Sequence, residues 1–227
     1  MTPRAAVAKH LAHVKLYNYW RSSSSYRVRI ALAHKGLRYD YVPVKLTRGE
    51  QRETAHRERN PWGSVPVLEV DHDGRTHFIP QSVAIIEYLE ERWALQPLFP
   101  TSTIERAMVR SIAETITSGI QPFHNLATLD YVKETLGGSP KAWAEHFILP
   151  GLEAVEQLAK RSAGRFLVGD VFSWADCCLV PQLYAARRFT TFGSSDFPLL
   201  SRVEENCLEL SAVQEARPEA QPDATPG

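Results

Sequence analysis

Cysteine is scarce: 227 residues carry three, Cys177, Cys178 and Cys207. An odd count with no CxxC pair argues against a disulfide-framed secreted domain. The adjacent Cys177-Cys178 lies in an apolar helical stretch and reads as two small buried hydrophobes. Among eight histidines there is no HExxH and no Cys/His ligand spacing, so no metal site is expected. His10 and His13, near the start, read as solvated. An excess of either charge is missing too. Lys+Arg and Asp+Glu both number 26, which argues against bulk nucleic-acid binding. No run approaches the ~18 consecutive apolar residues of a membrane span. Residues 1–14 hold Arg4 and Lys9 without a continuous apolar core, so they are no secretory signal. They also lack acidic residues, which leaves organelle targeting open beside a flexible extension and a cytoplasmic location. Residues 217–227, with three prolines and little that is apolar, read as a disordered tail.

What is present is ordinary globular material, 44% hydrophobic and 23% charged, enough for one large domain or two small ones. Lys15 to Trp20 is rich in aromatics and reads as a strand. A run of four serines follows, then good helix formers from Tyr26 to Lys35, with Gly36 as a fitting C′ residue. Tyr39 to Leu46 reads as a second strand, so the opening is a βαβ unit with parallel pairing. Residues 47–60 are polar and irregular, and Asn60-Pro61-Trp62-Gly63 is turn chemistry. Val65 to Val70 is a third strand. Asp73-Gly74 turns it back into a short strand, Thr76 to Ile79. Ser82 reads as the N-cap of a helix with Val83, Ile86, Leu89 and Trp93 on one face.

Pro97, Pro100 and polar neighbours mark 94–103 as a linker between a domain at 15–93 and one at 104–216. The second domain is helical in pattern. Ile104, Met108, Ile112, Ile116 and Ile120 recur every four residues, and Pro122 should kink or end that helix. Trp143, Phe147, Gly151, Val155 and Leu158 mark another. Ser173-Trp174-Ala175-Asp176 fits a capping box at the start of a buried helix. Ser201 to Leu210 fits a last one.

Ser22, Ser23, Ser24 and Ser25 stand where a strand turns into a helix. Unpaired N–H groups and the positive end of the helix dipole favour an anion there, whether phosphate, carboxylate or thiolate. Arg21, Arg27 and Arg29 flank the run and are candidates for added positive potential. Plain helix capping is the competing reading, although one serine is enough to cap. No GxSxG elbow surrounds the run, which argues against Ser-His-Asp catalysis.

The stretch Tyr19 to Leu32, YWRSSSSYRVRIAL, resembles the signature of zeta-class glutathione transferases, the class that includes the maleylacetoacetate isomerases. The resemblance continues through Asn60-Pro61, Val65-Pro66-Val67-Leu68, Gln81 to Glu91, Gly119 to Pro122, Leu179 to Gln182 and Gln221-Pro222-Asp223. It implies an α/β thioredoxin-like N-terminal domain and an all-α C-terminal domain. It also implies glutathione as cofactor, an acidic small-molecule substrate and a homodimer that pairs the N-terminal domain of one subunit with the C-terminal domain of the other.

The resemblance also distributes roles. Ser22, or else Ser23, would hydrogen-bond the glutathione sulfur, with Ser24 close by. Val65-Pro66 would be a cis peptide presenting the Val65 backbone to the cysteinyl part. Gln81 and Ser82 would hold the γ-glutamyl carboxylate. Gln51, Gln121 and Asn125 match positions near glutathione; Arg187-Arg188 follows the Val180-Pro181-Gln182 motif, and one of the two, Arg188 before Arg187, would take a substrate carboxylate. The class often has cysteine where this chain has Ser24. Trp62-Gly63-Ser64 also differs from the pattern expected of close relatives. The implied reaction is isomerisation of maleylacetoacetate to fumarylacetoacetate, in tyrosine and phenylalanine breakdown, by thiolate addition, bond rotation and elimination. Maleylpyruvate isomerisation, glutathione transfer and haloacid dehalogenation are the neighbouring activities. A non-catalytic interaction module is the rival from another class.

Overall fold

The computed structural model describes residues 14–225. The extension expected at 1–14, with His10 and His13, lies outside them except for Val14. The chain forms two compact units. One runs through Gln96 and takes the chain back from Glu215; the other spans Pro97–Gln214.

The first unit contains β1 (Val14–Asn18), α1 (Ser23–His34), β2 (Asp40–Pro43), α2 (Thr54–Arg57), β3 (Val67–His72), β4 (Arg75–Pro80) and α3 (Ser82–Arg92). The strands form one sheet in the order β2-β1-β3-β4. β1 pairs with β2 in parallel, as a βαβ unit requires, and β3 is antiparallel to both β1 and β4. Val67 and Leu68 are both fully buried, and neighbours in a strand point to opposite faces, so both faces of β3 are covered. Gly36 (φ 67°) ends α1 in a Schellman motif: Leu37 N–H reaches Leu32 O at 2.9 Å and Gly36 N–H reaches Ala33 O at 3.0 Å. Asp73 and Gly74 both have positive φ, as a type I′ hairpin turn demands.

Three expectations need correction here. Residues 47–60 are not irregular throughout: they hold two 3₁₀ turns, Leu46–Arg48 and Glu50–Arg52, and then α2. The N-cap of α3 is Gln81, with Ser82 already inside the helix. Gln81 takes φ 72°, and that left-handed backbone turns the chain into the helix one residue early. The buried face of α3 is Ser82, Ile85, Ile86 and Leu89. Ile86 and Leu89 match the expected face, whereas Val83 and Trp93 are half-buried.

The second unit is helical: α4 (Thr103–Thr117), α5 (Leu126–Glu134), α6 (Pro140–Ala159), α7 (Trp174–Ala186), α8 (Pro198–Leu208) and α9 (Ser211–Glu215), whose last residue already belongs to the first unit. In α7 every residue but Tyr184 is buried, the mark of a helix surrounded by others. Its start is the expected capping box. Asp176 Oδ2 accepts from Ser173 N–H and from Ser173 Oγ, both at 2.8 Å. The isoleucine ladder of α4 is corrected at its start. Ile104 is 68% exposed, while Ile112 and Ile116 are buried. A four-residue step overshoots the 3.6-residue turn by ~40° each time, so a ladder of sixteen residues cannot stay on one face. The helix ends at Thr117, before Pro122, and the buried Ile120 lies beyond it.

The tail expected to be disordered at 217–227 is ordered as far as it is described. It makes a 3₁₀ turn at Pro218–Ala220, Gln221 is buried, and Asp223 accepts from Trp20 N–H at 3.3 Å and from the hydroxyl of Tyr41. Composition pointed to disorder, but these polar contacts supply what apolar side chains do not.

Candidate active site

Sheet register brings the candidate residues of the first unit to one end. Tyr17 of β1 pairs with Val67, the first residue of β3, and Val67 pairs with Pro80, the last of β4. β2 runs parallel to β1 and ends beside Asn18. The serine run, Val65-Pro66, Gln81-Ser82 and the loop holding Gln51 therefore all leave the sheet at the same edge. Val65 and Val67 pack with Tyr17 and Val44 in a small buried cluster that fixes this edge from beneath.

Ser22 is the N-cap of α1, and its Oγ accepts from Ser25 N–H at 3.2 Å. The competing reading, helix capping, is therefore true of Ser22. It does not exhaust the residue, because a hydroxyl that accepts one hydrogen bond keeps its own O–H to donate. Ser23 is buried, and Ser23 and Ser24 are the first two helical residues, whose N–H groups have no intrahelical acceptor. Neither α1 nor α3 carries an acidic residue in its first turn, so the positive ends of both dipoles stay uncompensated by the chain itself.

Val65-Pro66 is cis, as expected. The loop before it is held rigidly. The buried Asn60 donates to Ser64 O at 2.8 Å, and His56 Nε2 lies 2.9 Å from the same oxygen. Gly63 has φ 66°, and a Cβ there would stand 3.0 Å from Gln51 O, so this turn needs glycine. Gln51 is buried, and its Oε1 has no hydrogen-bond partner among the described residues. An orphaned buried acceptor fits a site built for a ligand's donor. Gln81 is exposed at a φ that a side chain adopts only under strain, and such outliers gather at ligand sites. Ser82 is buried and its Oγ accepts from Arg27 Nη1 at 3.3 Å.

The flanking arginines separate into different roles. Arg29 is fully buried and donates to Ala216 O, Asn18 Oδ1, Tyr19 O and Trp20 O. Burial pulls its pKa below the usual range. Its N–H groups brace backbone carbonyls and the Asn18 side chain, so what it can add at the helix start is potential and not a direct contact to an anion. Arg21 is exposed over the Trp20 ring.

In the helical unit, Gln121 is buried in a 3₁₀ turn and donates Nε2–H to the side chain of Asn125, the exposed N-cap of α5. Arg187 is paired with Glu204 through both terminal nitrogens, one of them at 2.6 Å. Arg188 is exposed, with its guanidinium 5.3 Å from the Phe189 ring. None of the three cysteines is in a disulfide, and all three are fully buried. No group of three or more metal-type side chains occurs among the described residues. No helix there is long and apolar enough to cross a membrane.

Sequence reasoning missed two relationships: the bridge from Arg27 to Ser82, and the grip of Asp223 on Trp20 and Tyr41. The signal for the second was present in Gln221-Pro222-Asp223 but lay inside a segment read as disordered.

Comparison with known proteins agrees with this geometry. The family description "Glutathione S-transferase, N-terminal domain" matches residues 12–91, and "Glutathione S-transferase, C-terminal domain" matches residues 151–210. The maleylacetoacetate isomerase of Dictyostelium discoideum is 40% identical over 93% of this chain and 96% of its own. A crystal structure of maleylacetoacetate isomerase from Anaeromyxobacter dehalogenans, with dicarboxyethyl glutathione and citrate in its active site, is 48% identical with a TM-score of 0.87; the match covers 96% of this chain and 100% of that one. A holo structure of a bacterial maleylpyruvate isomerase, described as a zeta-class glutathione S-transferase, is 38% identical with the same TM-score and covers 93% and 100%. A two-unit chain with a cis Val65-Pro66, two bare helix starts at one sheet edge and relatives of this likeness along nearly its whole length belongs to the glutathione S-transferase family, in the zeta class with the maleylacetoacetate isomerases.

Proposed function

We propose that this chain is a glutathione-dependent cis–trans isomerase that converts maleylacetoacetate to fumarylacetoacetate. The observation that carries the reading is the convergence of the Ser22 cap, cis Val65-Pro66 and Gln81-Ser82 at one edge of the sheet. That edge suits a γ-glutamyl-cysteinyl peptide. It offers a hydroxyl with two open N–H groups, a backbone strand start, a second helix N-terminus and the orphaned Gln51 Oε1. The dicarboxyethyl glutathione bound by the Anaeromyxobacter relative is a thioether of glutathione with a four-carbon diacid, the kind of bond that a thiol forms with a maleyl group.

Bound glutathione supplies the thiol that adds to the cis double bond and leaves after rotation. The chain's own residues set its state and place. Ser22 donates its O–H to the sulfur, with Ser23 as the second candidate, and the N–H groups of Ser23 and Ser24 add positive potential. Such fields lower thiol pKa values by one to several units. Val65 offers N–H and C=O to the cysteinyl part. Gln81, Ser82 and the start of α3 receive the γ-glutamyl carboxylate. Gln121 and Asn125 are assigned to glutathione by the class resemblance. Arg188 is assigned to a substrate carboxylate, since Glu204 already occupies Arg187. A homodimer in the cytoplasm completes the proposal; sedimentation at the mass of a single chain at micromolar concentration refutes the dimer.

The likeness to a maleylpyruvate isomerase keeps a second substrate in view. Turnover of maleylacetoacetate and maleylpyruvate, each with and without glutathione, tests the proposal. Glutathione-dependent turnover with the higher kcat/KM for maleylacetoacetate is expected. A higher value for maleylpyruvate moves the enzyme to aromatic-acid degradation. No turnover in protein that binds glutathione points to conjugation or dehalogenation. Failure to bind immobilised glutathione favours a non-catalytic module.

A further inference from the structure

The turn that leads into the serine run is held from outside the run. Within it, Ser22 N–H reaches Tyr19 O at 3.0 Å. Arg29 then grips Tyr19 O and Trp20 O from α1, at 3.4 and 2.9 Å. The same guanidinium reaches Ala216 O at 3.0 Å, at the point where the C-terminal segment returns to this unit. Seven residues on, the Asp223 carboxylate divides its two oxygens: Oδ2 accepts from Trp20 N–H at 3.3 Å and Oδ1 from the Tyr41 hydroxyl of β2. The segment between is folded on itself. Gln221 Nε2 donates to Glu215 O and Arg217 O at 3.0 and 2.9 Å. Trp20 thus has its N–H fixed by the tail and its C=O fixed by an arginine that the tail also holds. Ser22 lies two residues further on.

We propose that Asp223 is a positioning residue for the reaction. The C-terminal segment 216–223 acts as a strap that sets where the Ser22 hydroxyl and the first N–H groups of α1 point. The proposal rests on the functional reading above for what Ser22 does, but the strap itself is a statement about the junction. Small displacements of a reacting group cost large factors in rate, up to about 10²-fold for ~1 Å. A strap of two hydrogen bonds is therefore enough to govern turnover.

The test uses the full chain in four forms: parent, Asp223→Ala, Asp223→Asn and Tyr41→Phe. Amide hydrogen exchange at residues 20–25 reads the junction without reference to activity. Ultraviolet titration of the bound glutathione thiol, together with kcat and KM, reads the site. Asp223→Ala is expected to lose protection at 20–25, to raise the bound-thiol pKa and to lower kcat about tenfold or more, with a smaller change in KM for glutathione. Asp223→Asn keeps an acceptor for Trp20 N–H and offers Tyr41 a donor, so it recovers most of the loss. Tyr41→Phe, which removes one of the two bonds, shifts the same readouts in the same direction by a few-fold and decides the matter if Asp223→Ala does not fold. Unchanged exchange at 20–25, or a fall in melting temperature with thiol pKa and kcat as in the parent, overturns the proposal. Lost protection in Asp223→Ala, alongside a parent that binds no glutathione, removes the functional reading and leaves the strap standing.

Discussion

Arg27 Nη1 donates to Ser82 Oγ across 3.3 Å, so one buried side chain ties the second turn of α1 to the first residue of α3. The N-terminal parts of the two helices that frame the proposed glutathione site are therefore mechanically linked. Ser82→Ala removes the link and, in the proposed reading, one contact to the γ-glutamyl carboxylate. Hydrogen bonds to charged groups are worth about 1.5–3 kcal/mol, so KM for glutathione should rise roughly 10- to 100-fold. With glutathione saturating, kcat should stay within about threefold, because the contact is made equally before and during reaction. Steady-state kinetics with glutathione as the varied component decides it.

Ser22→Ala should act on two scales at once. Loss of the cap to Ser25 N–H costs about 1 kcal/mol of stability, seen as a lower melting temperature. Loss of the proposed donor to the sulfur should cost about 10²–10³-fold in kcat. Ser22→Thr, which keeps both the acceptor and the O–H, should retain most of each. Full turnover in a folded Ser22→Ala protein transfers the role to Ser23 or to the backbone N–H groups.

Most of this was legible in the chain, for stated reasons. Gly36 and Asp73-Gly74 signal left-handed backbone by residue type, and both positions were placed correctly. The Ser173–Asp176 box has a fixed spacing and was equally readable. Ser82 falls one residue inside the helix because nothing in a glutamine announces the positive φ that Gln81 takes. Ile104 was misplaced because a four-residue repeat imitates a helix face only over about two turns. The order at 216–223 is invisible to composition, since its partners, Trp20, Arg29 and Tyr41, lie some 180 to 200 positions away in sequence.

In the helical unit, Gly151 sits inside α6 where a Cβ would come within 2.4 Å of Ile120. Alanine has the better helix propensity, by up to about 1 kcal/mol. Overpacking costs about 1–3 kcal/mol and should win. Gly151→Ala is expected to lower the urea midpoint, and Gly151→Ala with Ile120→Val should recover part of the loss. A stabilised single variant would show that the two segments separate freely.

Asp176 gives a pH signature. It is fully buried, and burial pushes its carboxyl up to about 6 against the opposing hydrogen bonds from Leu167 and Ser173. An unfolded aspartate titrates near ~3.9. Between these values the folded chain holds more protons than the unfolded one, so this group's contribution falls as pH rises from about 4 to about 6 and is then constant. The shift corresponds to roughly 3 kcal/mol at most. Asp176→Asn should remove that slope, so the difference in unfolding free energy between variant and parent should change across this window and be flat above it. Urea denaturation at several pH values measures it.

The three buried cysteines bear on the substrate that the protein is proposed to meet. A maleyl double bond beside a carbonyl alkylates exposed thiolates indiscriminately. Cys177, Cys178 and Cys207 are all sealed in the helical unit, and burial raises the pKa of Cys207 well above the ordinary thiol range. Position 24 of the serine run, where the class often has cysteine, carries a hydroxyl instead. The folded chain offers an electrophile no exposed thiol of its own. Such a protein can work in a solution of its reactive substrate without being titrated by it, and it should become vulnerable to alkylation only on unfolding.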